Sequence, residues 1–116
     1  MQTSPGPIPI RISKAGKIID RAVTVRKSRA ENVRWVAQDG EGPWTIIFCK
    51  DSSGKGKYKV AKGSPFKEDE YEVPRAGSVT TTDGPVKGNP KNTYRYQVKN
   101  TATGEVTDDP DVDVES

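Results

Sequence analysis

Hydrophobic and polar positions alternate with a period of two along almost the whole chain, the spacing that sorts side chains onto the two faces of an extended strand. Ile8, Ile10 and Ile12 alternate with Pro9 and Arg11. Because Pro9 has no N–H to donate to a ladder, this strand is expected at a sheet edge. Gly16 marks a turn, and residues 18–27 read as a second strand in which Val23 and Val25 flank Thr24. Ser28 followed three residues later by Glu31 has the form of a helix N-terminal capping box, but no apolar helical face follows, so it opens a single turn at most. Residues 32–38 place Val33, Trp35 and Ala37 on one face. Residues 44–50 carry Trp44, Ile46 and Phe48 on one face and Thr45, Ile47 and Cys49 on the other. Being apolar on both faces, that run is expected to be a central strand, with Cys49 as a small buried hydrophobe.

Residues 51–65 change to Gly, Ser and Lys and are expected to form a long mobile loop, or a short hairpin around Tyr58 and Val60. Phe66, Tyr71 and Val73 belong to the next segment, which Pro74 closes. Residues 78–87 are rich in Thr and contain the turn signal Asp83-Gly84-Pro85. Tyr94, Tyr96 and Val98 then alternate with Arg95, Gln97 and Lys99, and a final run sets Val112 and Val114 against Asp111, Asp113 and Glu115. About seven to nine short strands separated by turn signals predict an all-β protein, an antiparallel Greek-key β-sandwich. One domain over residues 1–116 is expected, with residues 1–7 flexible or extended and Trp35, Trp44, Ile46, Phe48, Tyr94, Tyr96 and Val98 in the core.

Composition narrows the picture. Only 31% of the residues are hydrophobic and 30% are charged, which suits a thin two-layer core under a heavily solvated surface. No apolar run approaches the length of a membrane span, and the first residues lack a signal-peptide pattern, so a soluble cytoplasmic protein is expected. A single cysteine excludes an intramolecular disulfide. The net charge of +3 hides a split: residues 1–36 hold eight Lys/Arg and two acids, whereas residues 67–116 hold six and eleven. Such a split suits a nucleic-acid-binding arm with an acidic tail. The favoured reading is that the two ends of the chain lie side by side in a sheet and neutralise each other.

Pro43-Trp44-Thr45-Ile46-Ile47-Phe48, Ser64-Pro65-Phe66, Val73-Pro74, Tyr94-Arg95-Tyr96-Gln97-Val98 and Asp109-Pro110-Asp111-Val112 together resemble small bacterial cupredoxin-like proteins over roughly the last four fifths of the chain. The resemblance implies a cupredoxin-like sandwich, for which an immunoglobulin-like one is the alternative. It also implies where copper would bind in metal-carrying members: two histidines, a cysteine and usually a methionine, most of them in the loop joining the last two strands. This chain departs from that pattern. It has no histidine, its one methionine is Met1, Cys49 sits elsewhere, and residues 100–110 contain neither sulfur nor imidazole. No cofactor and no metal are expected.

The absence of histidine also removes the commonest general base, and no nucleophile elbow or phosphate loop is present, so an enzyme is not expected. Asp108, Asp109, Asp111 and Asp113 offer oxygen ligands to calcium, but the glycine-turned loop of calcium sites is missing, and a solvated strand is preferred. Two binding readings remain. A protein partner is expected at a sheet edge or loop, with Ile8, Ile10 and Ile12 of the first strand and Asp111, Asp113 and Glu115 of the last as candidates. The alternative is a nucleic-acid-binding domain using Lys55, Lys57, Tyr58, Lys59 and Lys62, where lysines spaced by glycines reach phosphates and Tyr58 stacks a base.

Overall fold

Wherever the sequence alternates, the chain extends. The computed structural model describes residues 6–21, 23–38, 42–49 and 60–116. Within them lie ten strands: β1 (Ile8–Ile12), β2 (Val23–Arg26), β3 (Val33–Ala37), β4 (Trp44–Phe48), β5 (Val60–Ala61), β6 (Glu70–Val73), β7 (Ser78–Thr80), β8 (Thr93–Asn100), β9 (Val106–Asp108) and β10 (Asp111–Glu115). The described helix is one 3-10 turn, Lys27–Arg29. Among the described residues no helix is long and apolar enough to cross a membrane.

The strands form two sheets. The smaller runs β1-β3-β7, and the larger runs β2-β10-β8-β4-β6, with β5 and β9 also paired to β8. The sandwich is mixed rather than purely antiparallel: β1 with β3, β2 with β10 and β5 with β8 run parallel. The cause is the route of the chain. It leaves β1 in the small sheet, crosses to the large sheet for β2 and returns for β3, so β1 and β3 are neighbours without being joined by a hairpin.

The core lies between the layers and is centred on Trp35 of β3. Its indole meets Tyr71 with ring centroids 5.4 Å apart, Tyr96 at 5.5 Å, Phe48 at 6.2 Å and Phe66 at 6.4 Å. All seven core residues expected from the alternation are buried. Burial holds the Tyr96 phenol well above the usual tyrosine range.

Three local readings change. Among the described residues of 18–27, Val23–Arg26 form the strand, because Ile18 instead bridges Ile12 and the Ile19 N–H donates to the Arg11 carbonyl. A single turn does form at the Ser28 to Glu31 pattern, but Ser28 lies inside it and caps nothing, while Glu31 Oε1 accepts the N–H of Arg26 at 2.6 Å. Cys49 is half-buried just beyond β4 rather than part of the core. Residues 51–59 of the expected loop or hairpin lie outside the described residues, and Val60–Ala61 form β5.

Trp35→Ala removes the one ring common to these aromatic contacts. It is expected to cost about 3 to 5 kcal/mol, read as a lowered denaturation midpoint in chemical unfolding.

Candidate functional site

The four edges of a two-sheet sandwich are where an unpaired backbone meets solvent, and here they differ in kind. In β1 the bonds Ile8 N–H to Asn32 C=O and Gln38 N–H to Ile12 C=O turn the even-numbered residues toward β3, so Pro9 and Arg11 face outward. Pro9 has no donor. The Arg11 N–H is taken by Asp20 Oδ2 at 2.9 Å, its carbonyl by the Ile19 N–H at 2.9 Å, and its guanidinium by both Asp20 oxygens. That hydrogen bonding holds the Asp20 carboxyl below its ordinary range. In β2 the outward Arg26 donates its N–H to Glu31 Oε1 and accepts the Glu31 N–H at its carbonyl. Side chains and a crossing loop thus take the outward backbone groups of Arg11 in β1 and Arg26 in β2.

Asp108 anchors that cover to the large sheet. Its Oδ2 accepts the Ile18 N–H at 2.8 Å and Arg21 Nη1 at 2.6 Å, and its Oδ1 accepts the Asp109 N–H at 2.8 Å. Burial pushes the Asp108 carboxyl up, but the Arg21 guanidinium and the two N–H groups outweigh it and hold the carboxyl below the ordinary range. One residue earlier, Thr107 Oγ1 donates to the Gly16 carbonyl at 2.8 Å. Gly16 has φ +78°, and a methyl group there would collide with Thr107 and stand 2.8 Å from Trp44 Cζ3.

The opposite side is open among the described residues. Phe48 N–H donates to Asp69 C=O, so along β6 the backbones of Tyr71 and Val73 face β4 while those of Glu70 and Glu72 face away. Ala37 N–H donates to Gly77 C=O and Thr81 N–H to Val33 C=O, so along β7 the backbones of Ser78 and Thr80 face away from β3. β6 and β7 end their respective sheets and lie beside each other. No described residue pairs with these outward groups.

The residues expected to meet a partner are placed differently. Ile10 and Ile12 are fully buried in the core, and Ile8 packs half-buried against it, because β1 turns its apolar face inward. β10 is not an edge strand: it lies between β2 and β8, with Asp111 opposite Arg95, Asp113 opposite Thr93, and Glu115 beside Arg26. Its carboxylates therefore line the outer face of the large sheet, where Arg21, Asp109, Pro110, Asp111 and Asp113 border a shallow groove of about 360 Å³. Burial, and then Asp113, push the Asp111 carboxyl up. Lys55, Lys57, Tyr58 and Lys59 lie outside the described residues, and Lys62 is exposed just after β5. Sequence reasoning missed Glu70, Glu72, Ser78 and Thr80, whose position at an edge depends on sheet order. The sole local signal was two short, strongly polar strands joined through Pro74.

Residues 100–110, where the family resemblance puts the copper-ligand loop, begin with a turn at 101–105 that is tied to the start of β4. Trp44 stands opposite Asn100, the last residue of β8, and Thr101 N–H donates to the Pro43 carbonyl. The indole is 3% exposed, with no hydrogen-bond partner at Nε1. Asn100 Oδ1 is occupied by the N–H groups of Ala102 and Thr103, and Thr103 Oγ1 by that of Glu105. Among the described residues no group of His, Cys, Asp and Glu is gathered to hold a metal. An indole and hydroxyl and amide oxygens already in use do not fit copper, whose sites in this fold need imidazole and thiolate.

The two mixed sheets, closed by a terminal strand inserted between β2 and β8, form a cupredoxin-like β-sandwich. A solved structure of a variant of amicyanin in its Cu(I) form matches with a TM-score of 0.57 at 17% identity, covering 98% of this chain and 87% of that one. No protein-family model and no curated protein matches the chain.

Because the Asp108 carboxyl is depressed in the folded state, its contribution is complete above the ordinary carboxylate range and fades as the pH falls through about 4 and below. Asp108→Asn is expected to lower stability at pH 7 by about 1 to 3 kcal/mol and by less at pH 2, as measured by denaturant unfolding at the two pH values.

Proposed function

We propose that this protein is a non-enzymatic binding module that holds a protein partner by strand addition at the β6 and β7 side of its sandwich, without metal. The observation that carries this reading is the contrast between edges. On one side Pro9 lacks a donor, Asp20 and Ile19 take the outward N–H and C=O of Arg11 in β1, and Glu31 takes those of Arg26 in β2. On the other, the outward N–H and C=O groups of Glu70, Glu72, Ser78 and Thr80 offer two short rows of donors and acceptors. An extended segment from another chain satisfies such a row without disturbing either sheet.

Charge supports a framework role over chemistry. The ion pairs Arg11–Asp20, Arg21–Asp108 and Lys87–Asp69 join segments of the fold to one another. Cys49 lies beside the sheet end, where its N–H donates to the Arg95 carbonyl, and the chain has no histidine to activate its thiol.

A photo-crosslinking amino acid placed singly at Glu70, Thr80, Pro9 or Arg26 tests the side used. In cells of the native host, Glu70 and Thr80 are expected to give an adduct with one defined protein, and Pro9 and Arg26 none. Equal adducts from all four positions, or adducts from Pro9 and Arg26 alone, would sink the reading.

A further inference from the structure

Of the two open edges, β6 carries information about what fits it. Glu70 and Glu72 project from the same face two residues apart, about 7 Å along the strand, and both are exposed. Exposed Glu68 precedes them. Their cross-strand neighbours on β4 are Ile47 and Thr45, so the adjoining strand supplies no cation to either carboxylate. Thr45 Oγ1 donates to Glu72 Oε1 at 3.0 Å, which steadies the side chain without neutralising it. Asp69, by contrast, is paired with Lys87 at 3.1 Å. The other face of β6 is apolar: Tyr71 and Val73 point into the core, and Tyr71 packs on Trp35. At β7 the outward residues Ser78 and Thr80 carry no charge themselves and lie beside a cation, Arg34 of β3, which stands opposite Thr80 and donates Nε–H to Ser78 Oγ at 3.0 Å.

We infer that the β6 edge receives an extended segment of another protein in which Lys or Arg alternates with apolar residues. This inference rests on the strand-addition reading and adds the chemistry of the partner. In a strand laid against β6, residues on the outer face stand beside Glu70 and Glu72 and gain from positive charge. Residues on the inner face continue the layer of Tyr71 and Val73 and gain from apolar side chains. Among the described strands of a second copy, the edge strands that carry a cation, β1 at Arg11 and β2 at Arg26, fit less well, because they are already paired within the sheets and the N–H groups of Arg11 and Arg26 are taken by Asp20 and Glu31.

The probes are a short peptide alternating lysine and valine and its glutamate–valine counterpart, titrated into the isotope-labelled full chain and followed by amide NMR. The lysine peptide is expected to shift the amides of Glu70 and Glu72, to bind at least about tenfold more tightly than the glutamate peptide, and to weaken as salt rises. Two variants separate the contributions. Glu70→Pro removes an N–H that has no partner among the described residues, at the first residue of an edge strand where proline is tolerated, and is expected to lose binding about tenfold or more with an unchanged unfolding midpoint. Glu70→Gln keeps the N–H, removes the charge and is expected to flatten the salt dependence, a readout that stands even if the proline variant unfolds. Equal binding of the two peptides, or binding of neither, overturns the basic-partner inference; cross-links from Glu70 in the host would then still support the edge itself. Sedimentation showing a dimer of the chain that Glu70→Pro dissolves overturns it in favour of a second copy.

Discussion

The fold depends on one ring. With few hydrophobic residues available, the two layers are held together where Trp35 of the small sheet reaches across to Phe48, Tyr71 and Tyr96 of the large one, with Phe66 from the segment before β6 closing the remaining side. Edge-to-face packing of this kind buries much apolar area per residue and fixes the angle between the sheets. The aliphatic positions, Ile10, Ile12, Val33 and Ile46 among them, extend that centre outward without repeating it. A sandwich so centred fixes where the sheets end, and the ends carry the functional argument.

Acidic side chains play two opposite parts at those ends. Asp20 and Glu31 are the acids of the first third of the chain, and each turns back to hold a backbone N–H of a basic strand, Arg11 in one case and Arg26 in the other. Asp108 does the same for Ile18 and adds the Arg21 ion pair. The charge split between the two ends of the chain is met by contact at two places, Arg21 with Asp108 and Glu115 of β10 beside Arg26 of β2. Glu70 and Glu72 are used differently, since their cross-strand neighbours are neutral and their backbones have no partner among the described residues.

Much of the fold was legible in the sequence, because period-two alternation reports burial directly. Trp35, Phe48, Tyr94, Tyr96 and Val98 were assignable to the core from spacing alone, and the strands around them began and ended near their turn signals. Neighbourhood was not legible. Nothing local in Asp111–Glu115 says that this strand inserts between β2 and β8, since the parallel pairing with Val23–Arg26 spans most of the chain. An amphipathic strand at a terminus reads like an edge whether or not it is one. The same reason hid the candidate site: Glu70 and Thr80 look like ordinary solvated strand residues until the order of the sheets is known. Residues 18–20 were read as strand because Ile18 and Ile19 are apolar; the competing pull of Asp20 on Arg11 breaks that run, and it acts through a side chain that periodicity does not weigh.

Closure of one flank and exposure of the other bear on how many molecules one copy can join. A β-protein with bare edges on opposite flanks has two ends to grow from, and each addition presents a fresh end to the next, the geometry of a filament. Here β1 and β2 are stoppered at Arg11 and Arg26, and the other two sheet ends, β6 and β7, stand together on a single flank. Under the proposed reading, segments added at β6 and at β7 share that flank, and growth in two opposite directions meets the stoppers on the far side.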